Sequence, residues 1–396
     1  MLDLIMKASD TLKGVVARTP LVASSSLSRL YGVQTHLKLE NLQKTGSFKV
    51  RGAYNLISSL TDEEKRRGVV TASLGNHAQG VAWAGALLGL KTTVVMPGSA
   101  SIIKRTATSG YGAEVILHGG FFDEADGYAK KLSEETGGRF IPPFDDDLVI
   151  AGQGTVALEI LEDCPDADTI VVPVGGGGLI AGIASAVKES GRNISVIGVE
   201  ATASMSCIES LKAGRPVDVE RASTIADGIA VKRVGEKTFP LIKKYVDDVV
   251  AVSEDSIAAA VLALLERKKV VAEGAGAASV AAAIEGRLPA SSRKVVFVIS
   301  GGNIDVTVLD RVLRTGLLKE GRVVKVETVL RDVPGSLAEL AAVIASERAN
   351  ILHIVHLRDA EDVAVGLTRL DVLLEVEGPE HAQKVIKTLV EKGYRV

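Results

Sequence analysis

Residues 170–183 read IVVPVGGGGLIAGI. An apolar run, four successive glycines and a run of small residues predict a buried strand, a loop without side chains and the start of a helix. Backbone N–H groups of such a loop can converge on one anion, and the helix N-terminus adds partial positive charge. The stretch therefore predicts a phosphate-binding turn in a parallel α/β sheet, although a tight glycine turn without a ligand fits the same residues.

Three further segments carry side chains with chemistry of their own. Residues 45–53, TGSFKVRGA, place Lys49 between glycines ahead of a helical pattern. A desolvated lysine has a lowered pKa and can attack a carbonyl group, although a lone lysine usually lies on the surface. Residues 73–80, SLGNHAQG, begin a helix whose first turn offers donors to a carboxylate. Residues 300–303, SGGN, follow an apolar strand, and open α/β sheets bind ligands at that end of their strands.

In this order and at these separations, the four segments resemble the fold-type II pyridoxal-phosphate enzymes, and within them the threonine (serine) dehydratases. The resemblance covers nearly the whole chain, because RTPL at 18–21, LKLENLQ at 37–43, AGQGT at 151–155 and IADGIA at 225–230 belong to it. It implies an α/β fold of two lobes with open parallel sheets, like the tryptophan synthase β subunit. The large lobe would comprise residues 1–52 and 148–318, and an inserted small lobe would comprise residues 53–147.

The resemblance also implies a role for each motif residue. Lys49 would hold pyridoxal 5'-phosphate as a Schiff base and then carry the α-proton of the substrate. Phe48 would cover one face of the cofactor ring, with the Gly228 segment on the other face. Asn76 would hydrogen-bond the phenolic oxygen of the ring, and Ser300 would face its pyridine nitrogen. The phosphate would be held by Gly175, Gly176, Gly177, Gly178 and Leu179.

The loop after the short strand 69–72 would bind the substrate carboxylate through Ser73, Gly75, Asn76 and His77. In the resemblance Lys49 moves the proton, so we expect His77 to order this loop rather than to act as a base. Glu273 would belong to a proton network near the ring, or would be an acidic residue at a helix N-terminus.

A hydroxyl at Ser300 determines the expected reaction. It would leave the pyridine nitrogen unprotonated, which favours loss of a β-hydroxyl over transamination or racemisation. The expected substrates are L-threonine, giving 2-oxobutanoate and ammonia, and L-serine, giving pyruvate. Serine racemases carry a second serine where this chain has Leu74, so racemisation should be slow. The alternatives are a β-replacement synthase, a serine racemase and a non-catalytic amino-acid sensor.

A cation site is a further expectation from the resemblance. Glu200 aligns with a carboxylate that binds a cation in some relatives, and the carbonyl of Ser204 would be a second ligand. Ser206 stands where those relatives have an acid, which disfavours a divalent ion and leaves a monovalent one possible. A purely structural Glu200 fits equally well.

The C-terminal residues 322–396 follow a β-α-β-β-α-β order, which is typical of a ferredoxin-like domain. The segments RDVPGSL at 331–337 and NILH at 350–353 resemble ACT domains, which bind amino acids and regulate metabolic enzymes. The resemblance implies an allosteric homodimer or homotetramer with isoleucine or valine as effector, bound near Pro334, Gly335, Asn350 and Ile351. A dimerisation domain without a ligand is the alternative, and a role in isoleucine biosynthesis or in catabolism stays open.

The composition agrees with a cytoplasmic enzyme. The 396 residues are 46% hydrophobic and 24% charged with a net charge of −3, which disfavours nucleic acid as a partner. No apolar run reaches the length of a membrane span, so we expect no membrane association. Two cysteines without CxxC spacing disfavour a disulfide framework or a zinc site.

Overall fold

A computed structural model of the protein describes residues 1–220, 223–358 and 363–396. The chain divides into two compact units, Met1–Val308 and Leu309–Val396. Among the described residues, no helix combines the length and the apolarity needed to cross a membrane.

The first unit alternates strands and helices along the chain. Its strands are β1 (Leu21–Ala23), β2 (Gln34–Leu39), β3 (Val69–Ala72), β4 (Thr92–Met96), β5 (Glu114–Leu117), β6 (Arg139–Phe140), β7 (Thr169–Pro173), β8 (Ser195–Ala201), β9 (Asp248–Val252) and β10 (Lys294–Ile299). Its helices are α1 (Leu2–Leu12), α2 (Ser25–Tyr31), α3 (Lys49–Ser58), α4 (Asp62–Arg67), α5 (Asn76–Leu87), α6 (Ile102–Gly110), α7 (Phe122–Thr136), α8 (Asp147–Asp163), α9 (Gly178–Glu189), α10 (Ser206–Ala213), α11 (Thr238–Tyr245), α12 (Glu254–Lys268) and α13 (Gly274–Ile284).

Two open sheets organise this unit. The larger has the strand order β1-β2-β10-β7-β8-β9, and all its pairings are parallel except that of β1 with β2. The smaller has the order β5-β4-β3-β6 and is parallel throughout. Strand β7 is buried at every residue, as expected for a parallel strand covered by helices on both faces. The predicted two-sheet α/β fold is therefore confirmed.

The smaller sheet lies within the predicted small lobe, and the larger sheet uses strands from both flanking segments. The predicted boundary after residue 52 falls inside α3, whereas α8 begins at Asp147, where the chain was expected to return. The lobe limits stay a prediction.

Close helix crossings set the position of α3. A Cβ on Gly152 of α8 would lie 2.6 Å from the Cα of Gly52, so the two backbones are in contact. This crossing fixes the first turn of α3, which begins at Lys49.

A buried ionic cluster lies beside the same helix. The guanidinium of Arg51 donates to both oxygens of Glu40 at 2.9 and 2.8 Å and to both oxygens of Glu159 at 2.7 and 3.0 Å. Lys38 donates to Glu159 at 2.5 Å, and the hydroxyl of Thr19 donates to Glu40 at 2.5 Å. The cluster therefore connects β2, α3 and α8 under the start of α3.

The second unit contains a small antiparallel sheet. Helix α14 (Val306–Lys319) leads to β11 (Val323–Arg331), α15 (Ser336–Ser346), β12 (Asn350–Leu357), β13 (Leu367–Glu375) and α16 (Pro379–Glu391), and the sheet order is β11-β13-β12. Alternate residues of β13 are buried, among them Leu370, Val372 and Leu374, and they pack on the two helices. This order is consistent with the predicted ACT-like fold.

The predicted final strand does not form. After α16 the chain turns at Gly393, whose φ is +89°, and the N–H groups of Gly393 and Tyr394 donate to Val390 and Leu389. These donors cap the helix instead of joining the sheet. The sequence pattern did not indicate that the N–H groups of Gly393 and Tyr394 would cap α16.

Candidate active site

One cavity of about 310 Å³ brings together the separate motifs of the first unit. Its walls come from the start of α3, the β3–α5 loop, the β7–α9 loop and the end of β10. All the residues assigned to cofactor or substrate line it: Phe48, Lys49, Ser73, Gly75, Asn76, His77, Gly175, Gly176, Gly177, Gly178, Leu179 and Ser300. Segments far apart in the chain thus meet at one site.

The surroundings of Lys49 suit a nucleophilic amine. Its Nζ donates to the carbonyl of Pro143 at 2.8 Å and lies 5.2 Å from the centre of the Phe48 ring. Burial lowers the pKa of its amine to about 8, and the charge of Glu273 opposes that shift. A lysine with such a pKa carries a reactive neutral fraction near physiological pH, as Schiff-base chemistry requires.

The four glycines form a cradle that side chains would fill. A Cβ on Gly176 would overlap the ring of Phe144, and one on Gly178 would lie 3.0 Å from the Phe144 Cβ. Gly177 has a φ of +92° and precedes α9, so its conformation also favours glycine. The loop therefore presents backbone N–H groups and a helix N-terminus, which suit a phosphate. Together with Lys49, this cradle fits pyridoxal phosphate.

Substitution of Gly176 by alanine is expected to weaken cofactor binding at least about tenfold, because the new methyl group and the Phe144 ring cannot both be accommodated without moving the loop. Titration of the cofactor-free protein with pyridoxal phosphate measures this loss. Gly127→Ala is the matched control, since a Cβ there meets nothing within 4 Å inside α7. Equal affinities for the two variants would contradict the prediction.

The β3–α5 loop is ordered by its own side chains. The Ser73 hydroxyl accepts from the N–H of Gly75 at 3.1 Å, and α5 begins at Asn76. His77 is buried, and its Nε2 lies 3.0 Å from the Ile141 carbonyl. Burial, assisted by the charge of Lys49, lowers the pKa of His77 to about 3. A neutral histidine that donates to a carbonyl supports the predicted loop-ordering role.

Glu273 lies at the site as well as at a helix N-terminus. It precedes α13, but its side chain does not cap that helix and accepts from Nδ2 of Asn76 at 2.6 Å. Burial and, to a smaller extent, the charge of Asp227 raise the pKa of its carboxyl to about 7. The hydrogen bond from Asn76 and the charges of Lys104 and Lys49 lower this pKa and so limit the rise. The carboxyl therefore exchanges a proton near neutral pH inside the pocket.

This raised pKa predicts a stability change with pH in the cofactor-free protein. The folded state holds the Glu273 proton more tightly than the unfolded state, so the free energy of unfolding should fall as pH rises from about 4.5 to about 7. The Glu273→Gln variant lacks this contribution. Urea unfolding of both proteins across that range should therefore show a wild-type stability that declines relative to the variant, and a constant difference would contradict the pKa assignment.

Comparison with known proteins agrees with this geometry. A family profile described as pyridoxal-phosphate dependent enzyme matches residues 12–301. The chain belongs to this family. An L-threonine ammonia-lyase of Thermotoga maritima is 51% identical over 395 residues, covering 100% of this chain and 98% of that protein. One from Geobacter sulfurreducens is 49% identical, covering 99% and 98%.

Solved structures also resemble most of the chain. Threonine deaminase isoform 2 of Solanum lycopersicum matches with a TM-score of 0.74 at 39% identity, covering 79% of this chain and 93% of that one. Maize serine racemase matches with a TM-score of 0.75 at 36% identity, covering 80% and 98%. The fold-type II architecture is thereby shown.

Several pocket residues were not identified from the sequence as part of this pyridoxal-phosphate site. Pro143 and Phe144 contact Lys49 and the glycine cradle, and no motif marks them. Lys104 donates to Asp227 at 2.5 Å across the pocket, although the two are 123 residues apart. Gln153 lies in the quoted AGQGT motif and lines the cavity. That motif was the signal that could have identified it.

Glu200 lies outside the residues that line the cavity. Its buried oxygens accept from the N–H groups of Cys207 and Ile208 at 2.8 and 2.9 Å, so it caps α10. Burial raises the pKa of this carboxyl to about 7. Within the described ranges no group of three or more His, Cys, Asp or Glu side chains could hold a metal ion. The cation site at Glu200 and Ser204 stays a prediction of the pyridoxal-phosphate family resemblance.

Proposed function

We propose that the protein is a pyridoxal-phosphate-dependent threonine ammonia-lyase that converts L-threonine to 2-oxobutanoate and ammonia. The observation that carries this proposal is the meeting of Lys49, the glycine cradle and the β3–α5 loop in one cavity. The names of the relatives that span the whole chain support the choice of substrate. L-serine is the second proposed substrate, with pyruvate as product.

The chain supplies binding and proton transfer, and the cofactor, when bound, supplies an electron sink for the carbon that loses its proton. Lys49 would hold the cofactor covalently, and its Nζ, once freed by the amino group of the substrate, would take the α-proton. The carbonyl of Pro143, 2.8 Å from this Nζ, accepts a hydrogen bond from the amine and orients it. Gly175 to Leu179 would hold the phosphate, and Ser300 would meet the pyridine nitrogen with a hydroxyl rather than a carboxylate.

The substrate carboxylate is proposed to bind at the N-terminus of α5, where Ser73, Gly75 and Asn76 line the cavity. Backbone N–H groups at a helix N-terminus favour an anion there. Leu74, which lines the same cavity, has no group that transfers a proton. The face of the substrate opposite Lys49 therefore lacks a base at this position, which disfavours racemisation.

A comparison of L-threonine and L-serine as substrates tests this proposal. Release of 2-oxobutanoate and pyruvate is followed in time, and the chirality of the remaining serine is determined in the same samples. We expect 2-oxoacid release with little D-serine. D-serine forming faster than pyruvate would establish the racemase alternative, and turnover that requires a second nucleophilic substrate would establish the synthase.

The second unit is proposed to be an ACT domain that binds isoleucine or valine. The β11–α15 turn contains Pro334 and Gly335, whose φ of +98° opens the first turn of α15, and Asn350 begins the neighbouring strand β12 with Ile351. The side-chain amide of Asn350 donates to Glu375 at 3.2 Å. Calorimetric titration of the full chain tests this proposal, and loss of heat in a Gly335→Val variant with unchanged lyase activity in the absence of effector would support it.

A homodimer or homotetramer is proposed together with this effector site, since exposed edges of a small sheet favour pairing between copies. The cytoplasm is the proposed location. Sedimentation of the purified protein with and without isoleucine measures the oligomeric state, and a monomer under both conditions would contradict it.

A further inference from the structure

An amide network borders the cavity, and one of its members, Asn303, has no role in the chemistry described so far. Nδ2 of Asn303 donates to the backbone carbonyl of Thr45 at 2.7 Å and to Oδ1 of Asn76 at 2.7 Å. Nδ2 of Asn76 in turn donates to Glu273 at 2.6 Å. The network therefore connects the segment before Lys49, the β3–α5 loop and the N-terminus of α13.

The direction of every bond in this network follows from the Thr45 carbonyl. A backbone carbonyl only accepts, so the atom of Asn303 that faces it must be the amide nitrogen. The second hydrogen of that nitrogen points to Asn76, which must present its oxygen. The nitrogen of Asn76 is then left for Glu273, and its second hydrogen remains for a further acceptor. An asparagine amide has two orientations of nearly equal shape, and Asn303 selects one of them.

The backbone makes room for this arrangement. A Cβ on Gly46 would overlap Oδ1 of Asn303, and a Cβ on Gly301 would overlap Oε1 of Glu273 and lie 3.2 Å from Nδ2 of Asn76. Thr45 has a φ of 60°, a left-handed conformation that is rare for a β-branched residue. Such conformations persist where the surroundings enforce them, and they concentrate at functional sites.

We propose that Asn303 is a positioning residue that holds the amide of Asn76 with its nitrogen toward the cavity, so that Asn76 donates to the phenolic oxygen of the cofactor. This inference rests on the proposed function. With the amide reversed, a carbonyl oxygen would face both the Glu273 carboxyl and the phenolic oxygen of the cofactor. The contact with the phenolic oxygen, and the contact with Glu273 whenever its carboxyl is ionised, would become contacts between acceptors, which is unfavourable in a buried site.

The test compares cofactor binding and spectrum in Asn303→Ala and Asn303→Asp. Aspartate has the shape of asparagine but donates no hydrogen bond when ionised, so Asn76 would turn its nitrogen toward residue 303. Each holoenzyme is stripped of cofactor and titrated with pyridoxal phosphate, and its absorption near ~410 nm is recorded against pH. We expect dissociation constants raised at least about tenfold and a smaller long-wavelength band, because the phenolic oxygen loses its donor.

A double-mutant cycle separates positioning from a general structural effect. If Asn303 acts through Asn76, its replacement changes the dissociation constant much less in an Asn76→Ala background than in the wild type. Asn41→Ala is the matched control, since the Asn41 amide also donates to a backbone carbonyl, that of Val271, at 3.0 Å. This control should bind cofactor as the wild type does.

Two results would overturn the inference: wild-type affinity and spectrum in both Asn303 variants, or equal losses in the presence and absence of the Asn76 side chain. If Asn303→Ala fails to fold, the isosteric Asn303→Asp variant supplies the same comparison. A wild-type protein that binds no pyridoxal phosphate would contradict the proposed function itself, and with it this inference.

Discussion

Replacement of Lys49 by alanine is expected to lower kcat for release of 2-oxobutanoate from L-threonine by at least about 10⁴-fold, since the proposed nucleophile and proton carrier would be lost together. Lys49 is held in place by the Pro143 carbonyl, and burial lowers the pKa of its amine to about 8. The Lys49 side chain lines the cavity, so its removal acts directly at the site and requires no rearrangement of other residues.

The measurement is a coupled assay for 2-oxoacid together with the absorption spectrum of the purified variant. The band near ~410 nm that reports a lysine-linked cofactor should disappear. Lys44→Ala is the control, because Lys44 lies close in sequence but is exposed and does not line the cavity. An active Lys49→Ala variant that retains the band would show that another residue binds the cofactor.

The largest expected effect on stability comes from Arg51. Its side chain is 1% exposed and bridges Glu40 and Glu159, and Glu40 is completely buried. Burial alone would raise the pKa of Glu40, but the charge and hydrogen bonds of Arg51 hold it below its ordinary value. Removing the guanidinium leaves a buried carboxylate without its main partner. Arg51→Met should therefore lower the free energy of unfolding by about 3–5 kcal/mol.

Chemical denaturation of the full chain measures this loss on the transition of the first unit. Arg18→Met is the control, because Arg18 pairs with Glu162 and Asp163 with half of its side chain exposed. An exposed pair of this kind should contribute less than about 1 kcal/mol. Similar decreases in the free energy of unfolding for Arg51→Met and Arg18→Met would contradict the predicted contribution of the buried cluster to stability.

Local signals in the sequence predicted the strands, loops and helix starts around the site, whereas the two-lobe arrangement came from the family resemblance. The strand before Gly175, the glycine loop and helix α9 lie where an apolar run, four glycines and small residues predict them. The same holds for the loop at Ser73 and for Ser300 at the end of β10. Each of these elements is determined by neighbours in sequence, which is why a pattern reveals it.

Contacts between distant segments could not be predicted in this way. Pro143 lies 94 residues from Lys49, and Asn303 lies 227 residues from Asn76, so their hydrogen bonds depend on the assembled sheets. Arg51 follows Lys49 in a helical pattern and carries a charge, yet it is buried because its partners are on β2 and α8. The expected last strand is absent for a local reason. The N–H groups of Gly393 and Tyr394 cap α16, so they do not pair with the sheet.

Incubation of the purified protein and pyridoxal phosphate with L-threonine tests the lyase activity most directly, with 2-oxobutanoate and ammonia quantified by mass spectrometry and enzymatic assay. The proposed function predicts equal amounts of the two products, formed by the wild type and not by Lys49→Ala. Cofactor bound at Lys49 with L-threonine recovered unchanged would contradict it.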